Sequence, residues 1–278
     1  MTGDTLPSSS PGILRAPFAP APRTPSPSAR KPVLLRRLLS FLPALCLPAA
    51  FAAHPLQTED TGTQGAGNVE IENGFARASS AGATQSLFQP QVSLGLAPTF
   101  DLMVQPSRVW ARAAGRGAVA GWGDSNLDAK WRFWGRDPWS LAVRAGIEVP
   151  TSQHGLGLSH GETGQHALLV LTWDGTPTTV HANVGATHLP DAPGTRSTTA
   201  VVSAAVMQTI DERLILTVDS QFNQATDAAR HGWPGTVLGA AIWTARPGLD
   251  LDLGWQSSLH AAPVTRQWMA GLTWRFAL

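Results

Sequence analysis

The sequence predicts an all-β fold, a transmembrane antiparallel up-and-down β-barrel of about 12 strands, on three observations. Apolar residues alternate with polar ones at period two. Many of the alternating segments run to about 11–13 residues, longer than an ordinary globular strand and suited to a tilted bilayer crossing. The connections between them alternate between short and long.

The chain opens with Pro, Ser and Ala and no apolar periodicity, so residues 1–29 are expected to be a disordered N-terminal extension. Residues 30–53 read as a signal peptide. Arg30, Lys31, Arg36 and Arg37 precede an apolar run from Leu38 to Ala53 that ends in small residues. Ala50-Phe51-Ala52 fits the small-x-small rule and predicts cleavage near Ala52 or Ala53. The run is too short, and too interrupted by Pro43 and Pro48, for a spanning helix. Cys46, the single cysteine, lies inside it, and Leu45 is too large for a lipoprotein signal. The mature chain is therefore expected to carry no disulfide and no thiol chemistry. Residues 54–66 are expected to form a periplasmic or plug segment, and 67–278 the outer-membrane barrel.

Strands are predicted near 68–78, 85–96, 99–112, 122–134, 138–150, 164–175, 177–188, 198–210, 212–224, 235–245, 248–260 and 266–277. The last shows the pattern best: Trp268, Ala270, Leu272, Trp274, Phe276 and Leu278 on one face, Gln267, Met269, Gly271, Thr273, Arg275 and Ala277 on the other. A water-soluble sandwich also alternates, but it has no reason to sort its loops by length. Here Ala97-Pro98, Gly135-Arg136-Asp137 and Asp211-Glu212 are short, whereas 113–121, 151–163, 189–197 and 225–234 are long. Short periplasmic turns and long outer loops are the habit of outer-membrane barrels. An even strand count also returns both termini to the periplasmic side.

Composition agrees. Only 14% of residues are charged, against roughly a quarter in soluble domains. The net charge of +1, with no basic cluster after residue 55, argues against nucleic acid as a partner. Eleven Trp and no Tyr put the aromatic weight on the residue that settles at a membrane boundary. Trp110, Trp134, Trp139, Trp173, Trp243 and Trp274 lie near strand ends and are expected at the membrane interface. Lys130, Arg132, Arg144, Glu148, Arg213, Asp219, Asp250, Asp252 and Arg275 are expected to line the lumen and set selectivity, because a basic residue facing mid-depth lipid costs about 2–4 kcal/mol. Whether these charges border an open pore or pair across a filled barrel stays open, since twelve strands lie between the filled and the channel-forming sizes.

Two stretches carry a family resemblance. His54-Pro55-Leu56-Gln57-Thr58-Glu59-Asp60-Thr61-Gly62-Thr63, followed by Gly65-x-Gly67 and Glu70-Ile71-Glu72, resembles the opening of the "meta-pathway of phenol degradation" family of outer-membrane proteins, with His54 replacing the more usual Arg. Gly123-Asp124-Ser125-Asn126-Leu127-Asp128-Ala129-Lys130-Trp131-Arg132-Phe133 and Gly146-Ile147-Glu148-Val149-Pro150-Thr151 are similar to its strand entry and exit. Gly271-Leu272-Thr273-Trp274-Arg275-Phe276 resembles the signal read by the barrel-insertion machinery, which is thereby an expected partner, with Met269 where a polar residue is usual. The resemblance implies transport of small aromatic or hydrophobic molecules.

Catalytic patterns are weak by comparison. Gly157-Leu158-Ser159-His160-Gly161 matches G-x-S-x-G, but in a Gly-rich loop with no helix after it, so a loop reading is preferred. His154, His160 and His166 are six residues apart and match no metal-site spacing. His181 and Asn183 share an inward strand face, where lumen lining is preferred to a Ser/His/Asn lipase grouping. The expectation is an outer-membrane channel or transporter for a small-molecule solute, with no enzyme activity, catalytic residue, metal or cofactor. Outer-membrane lipid and lipopolysaccharide surround it. A barrel enzyme acting on lipid or lipopolysaccharide, and a closed structural barrel, are the alternatives.

Overall fold

The computed structural model describes residues 54–278 apart from 116, 153–157, 160, 191–193 and 262. The expected extension and signal peptide therefore lie outside the described residues. The described chain is all-β, without a helix, and closes into a 12-strand antiparallel barrel.

Its strands are β1 (Asn68–Ser80), β2 (Ala83–Ala97), β3 in two pieces (Phe100–Gln105 and Arg108–Arg112), β4 in two pieces (Ala118–Trp122 and Ser125–Arg136), β5 (Trp139–Val149) and β6 (Gly164–Asp174). The second half comprises β7 (Thr178–His188), β8 (Thr198–Thr209), β9 (Leu214–Asn223), β10 (Gly235–Arg246), β11 (Leu249–Leu259) and β12 (Arg266–Ala277). Each strand pairs with its sequence neighbours. β1 closes the ring on β12, from Asn68 opposite Ala277 to Ser79 opposite Arg266. Closure removes the free edge that hydrocarbon would punish, since no N–H or C=O there finds water.

The expected strand count and most boundaries agree with this architecture. Two strands expected as continuous are each broken. Pro106 has no N–H for the ladder, and the third strand stops at Gln105 and resumes at Arg108. Opposite it, the fourth strand breaks at Gly123-Asp124, with a one-residue change of register between its two pieces. It also begins earlier than expected, at Ala118. The ninth strand starts at Leu214, so Arg213 sits in an exposed periplasmic turn rather than on the lumen wall; Asp211 Oδ1 accepts its backbone N–H at 2.8 Å.

Parity sorts the side chains. Val184 is 52% exposed and Leu253 57%, both on the outer face, while their strand neighbours Asn183 and Asp252 are buried. Among the described residues, buried polar side chains outnumber buried apolar ones, the reverse of a soluble domain. The outside is covered by apolar and aromatic residues, and the polar core is the lumen.

Placing a cation on the outer face at mid-depth tests this directly. Val184→Arg is expected to destabilise the barrel by about 2–4 kcal/mol in urea unfolding from lipid vesicles. An effect below 1 kcal/mol would place Val184 away from lipid.

Candidate functional site: the lumen and the segment within it

Residues 54–66 enter at the periplasmic mouth and lie across the lumen. Their contacts fall on most of the wall. Gln64 donates its N–H to Asp101 at 3.0 Å and its amide to Glu70 at 2.7 Å. Thr61 donates its N–H to the Thr172 hydroxyl at 3.1 Å, and its own hydroxyl lies 2.5 Å from that of Ser140. Asp219, fully buried on β9, accepts the N–H groups of Gln57 and Thr58 at 2.6 and 2.9 Å and the Thr58 hydroxyl at 2.7 Å. Thr236 donates to Gln57 Oε1 at 2.7 Å, and His54 Nδ1 meets Asp252 at 2.7 Å.

Glycines on the wall make room for this segment. Gly74 and Gly271 face each other across the β1–β12 seam, and a Cβ on either would collide with the His54 ring. A Cβ on Gly95 would strike the Gly65 carbonyl. The notch and the segment are thus encoded in residues some 20 to 200 positions apart.

The centre is an ion network built on Arg144, which has no exposed surface. Its Nε and Nη2 reach Asp128 Oδ2 at 3.1 and 2.5 Å, Nη2 also reaches Gln91 Oε1 at 3.0 Å, and Nη1 pairs with Glu59 of the segment. Lys130 Nζ binds the other Glu59 oxygen at 2.8 Å. His166 Nε2 lies 2.6 Å from the second Asp128 oxygen. The Asn183 amide accepts from the Glu59 N–H at 2.6 Å and donates to the Glu59 carbonyl at 3.0 Å. One carboxylate of the segment therefore pairs with two wall cations, and with Asp128 balances their charge, inside a low-dielectric interior where such pairs are strong if fully bonded. Asp60 lies beside them, with Lys130 Nζ 3.7 Å away. Desolvation by the surrounding wall raises its pKa, but Lys130 first, then His181, the Gly62 N–H and Arg275, together outweigh it and hold the carboxyl below its ordinary value.

The remaining expected lumen residues take several positions. Glu148 is buried on the inward face of β5. Arg132 sits at the periplasmic rim, donating to the Pro98 carbonyl at 3.4 Å. Arg275 bridges Glu70 at 2.6 Å and Asp250 at 2.5 Å near the same mouth. Glu59, Asp128, Glu70, Glu72, Asp101 and His166 were absent from the expected set. For Asp128 the signal was present, since it shares the parity of Lys130. For Glu59 there was none, because a segment without periodicity shows no face.

Of the expected interface tryptophans, Trp134, Trp139, Trp173, Trp243 and Trp274 ring the periplasmic end, with Trp139 and Trp173 in contact at 6.4 Å between ring centroids. Trp110 alone of the six lies at the opposite end, where the exposed Trp122, Trp255 and Trp268 accompany it.

Between the segment and the outer half of the wall is a cavity of about 60 Å³, bordered by Leu56, Leu87, Gln89, Gln105, Gln256 and Met269 among others. At roughly 10–15 Å³ per water, it has room for a few waters. Among the described residues, the middle of the lumen is occupied by the segment and by polar wall side chains.

The enzyme patterns gain no geometry. Ser159 Oγ accepts the Gly161 N–H at 2.8 Å in a local turn, and His154 and His160 lie outside the described residues. His181 does meet a hydroxyl, Thr172 at 2.9 Å, but both are buried inside the barrel, and Thr172 is already bonded by Thr61.

No protein-family model and no curated protein matches the sequence. Solved structures do match the fold. The chain is similar to the COG4313 outer membrane channel from Pseudomonas putida F1 at 13% identity, with a TM-score of 0.62 over 78% of this chain and 98% of that one. It is similar to the NanC porin at 9% identity, TM-score 0.55, over 74% and 98%. The KdgM porin matches at 8% identity, TM-score 0.53, over 74% and 99%. The fold is that of bacterial outer-membrane barrels.

Removing the central cation leaves buried carboxylates uncompensated. Arg144→Met is expected to cost about 3–5 kcal/mol in unfolding from lipid vesicles. Adding Asp128→Asn should recover part of it, because the two sites share one network. Additive losses would show that they do not.

Proposed function

We propose that the chain is a passive outer-membrane channel for small aromatic or hydrophobic solutes, stoppered by residues 54–66. The observation that carries this reading is how the lumen is filled. A barrel of about eight strands is closed by its own wall side chains, and twelve strands enclose more room than that. Here the filling includes residues 54–66, anchored by hydrogen bonds and ion pairs and by two buried apolar side chains, Pro55 and Leu56. Each of the polar contacts can be exchanged for water when the segment moves, so leaving costs less than unpacking an apolar core of the same size.

Lys130, Arg144, Glu148, Asp219, Asp250, Asp252 and Arg275 would then border the opened path and set its selectivity, with Arg132 at its mouth. Likeness in fold to outer-membrane channels supports the channel class. The aromatic preference rests on the resemblance of the 54–72 stretch and of 123–151 to the meta-pathway of phenol degradation family. Location in the outer membrane, after removal of a signal ending near Ala52 or Ala53, is part of the same reading.

Current through a planar bilayer tests it. The protein is expected to give discrete conductance steps that simple phenols block, and removal of residues 54–64 should raise the conductance severalfold. A bilayer that stays silent for both forms, with insertion verified, would overturn the channel reading in favour of a closed structural barrel.

A further inference from the structure

The outer face carries a second, unrelated feature. Register and parity assign every strand residue to lumen or lipid. Among the described strand residues, none that faces lipid is Asp or Glu. The lipid-facing arginines fall in two sets. Arg136 and Arg246 end their strands at the periplasmic rim. Arg77, Arg108, Arg112 and Arg266 all lie in the outer half of the barrel, confined to β12, β1 and β3, with β2 between them.

Cross-strand register knits these four into one patch. Trp268 lies opposite Arg77, Arg77 opposite Ser86, and Ser86 opposite Trp110. One row further out, Arg266, Ser79, Thr84 and Arg112 follow one another in the same way. Arg108 sits in the row below, its guanidinium 5.7 Å from the Trp110 ring centroid and 5.5 Å from that of Trp122. Arg77, Arg112 and Arg266 are exposed, and the Arg77 guanidinium donates to the Ser86 hydroxyl at 3.3 Å. Among the described residues, no carboxylate pairs with any of the four.

A guanidinium at a membrane boundary needs an anion, and its planar fork fits a phosphate with two parallel hydrogen bonds. Tryptophans beside it hold the cation over their ring faces and seat the patch at the interface. Three strand spacings separate Arg266 from Arg112, on the order of 14 Å, wider than a single phosphate needs. Hydroxyls of Ser79 and Thr84 lie between the cations, suited to a sugar, while that of Ser86 is buried beneath Arg77. Below them Phe75 and Phe88, opposite each other, begin the apolar band that faces acyl chains.

We propose that this patch is a binding site for lipopolysaccharide, taking the phosphates of its acylated disaccharide on Arg77, Arg108, Arg112 and Arg266. The proposal rests on the outer-membrane location and not on solute passage. The patch faces the outer leaflet, where lipopolysaccharide is the phosphate-bearing lipid.

Its test uses protein extracted from outer membranes in mild detergent, with native mass spectrometry and titration against purified lipopolysaccharide, enzymatically dephosphorylated lipopolysaccharide and phosphatidylglycerol. Lipopolysaccharide is expected to bind tightest. R77Q/R108Q/R112Q/R266Q should lose at least tenfold in affinity while keeping the different gel migration of unboiled and boiled barrel, and R136Q/R246Q should bind as the unaltered protein does. Dephosphorylated lipopolysaccharide should bind the unaltered protein at least tenfold more weakly, an arm that stands even if the quadruple variant fails to fold. Equal affinity of the quadruple variant, indifference to dephosphorylation, or preference for phosphatidylglycerol would each overturn the site.

Discussion

Hydrocarbon offers no partner to a peptide N–H or C=O, so a strand that enters it must be paired along both edges. That demand brings the last strand back to the first and makes Asn68 meet Ala277. Closure then divides every strand into a face that touches lipid and one that cannot. Once the lipid face has taken the Leu, Val and Trp, the polar half of each alternation has only the lumen to go to. Arg144 and Asp128 are buried together because the ring leaves them no other side. The two breaks in the wall, at Pro106-Ser107 and Gly123-Asp124, are where this demand is met less regularly. Gly123 gives its N–H to the Ser107 carbonyl at 3.0 Å, so the break is bridged rather than left open to lipid.

Inside, the difficulty is reversed. A cation such as Arg144 with no water around it costs several kcal/mol unless each of its donors is met. Asp128 and Gln91 of the wall meet part of that requirement, and Glu59 of the segment completes it. Asp219 repeats the logic with the sign changed, since two backbone N–H groups and a hydroxyl of the segment surround a buried carboxylate. Wall and segment are therefore electrostatically unfinished without each other. The contacts that finish both are hydrogen bonds and ion pairs, and this distinguishes the filling from an apolar core.

How much of this was legible in the sequence follows from the same physics. The barrel and its twelve strands were, because closure forces period two on every segment and turn lengths report the side of the membrane. The inward placement of Lys130, Arg144, Glu148, Asp219, Asp250 and Asp252 followed from parity. Arg213 did not, because it lies one residue beyond a strand end, where parity has no meaning. Glu59 could not be placed at all. Its partners lie 71 and 85 residues away, and a segment with neither helix nor strand period carries no directional signal. The break at Pro106 was readable, since a proline inside a strand pattern removes a ladder donor, but the apolar alternation on either side of it was given more weight.

The glycines argue that the lumen is shaped around its own segment. Gly74 and Gly271 are opposite one another in two strands that otherwise turn larger side chains inward, among them Glu72, Ala76, Met269 and Thr273, and a glycine in a strand weakens it. Neither has a positive φ, so turn geometry does not require them. What both spare is a collision with the His54 ring, whose Nδ1 meets Asp252 one strand further on. A barrel that only needed filling could have used larger side chains at these two positions and kept the stronger strands. The wall instead gives up packing where the segment lies, which is the cost expected of a lumen shaped to hold that element.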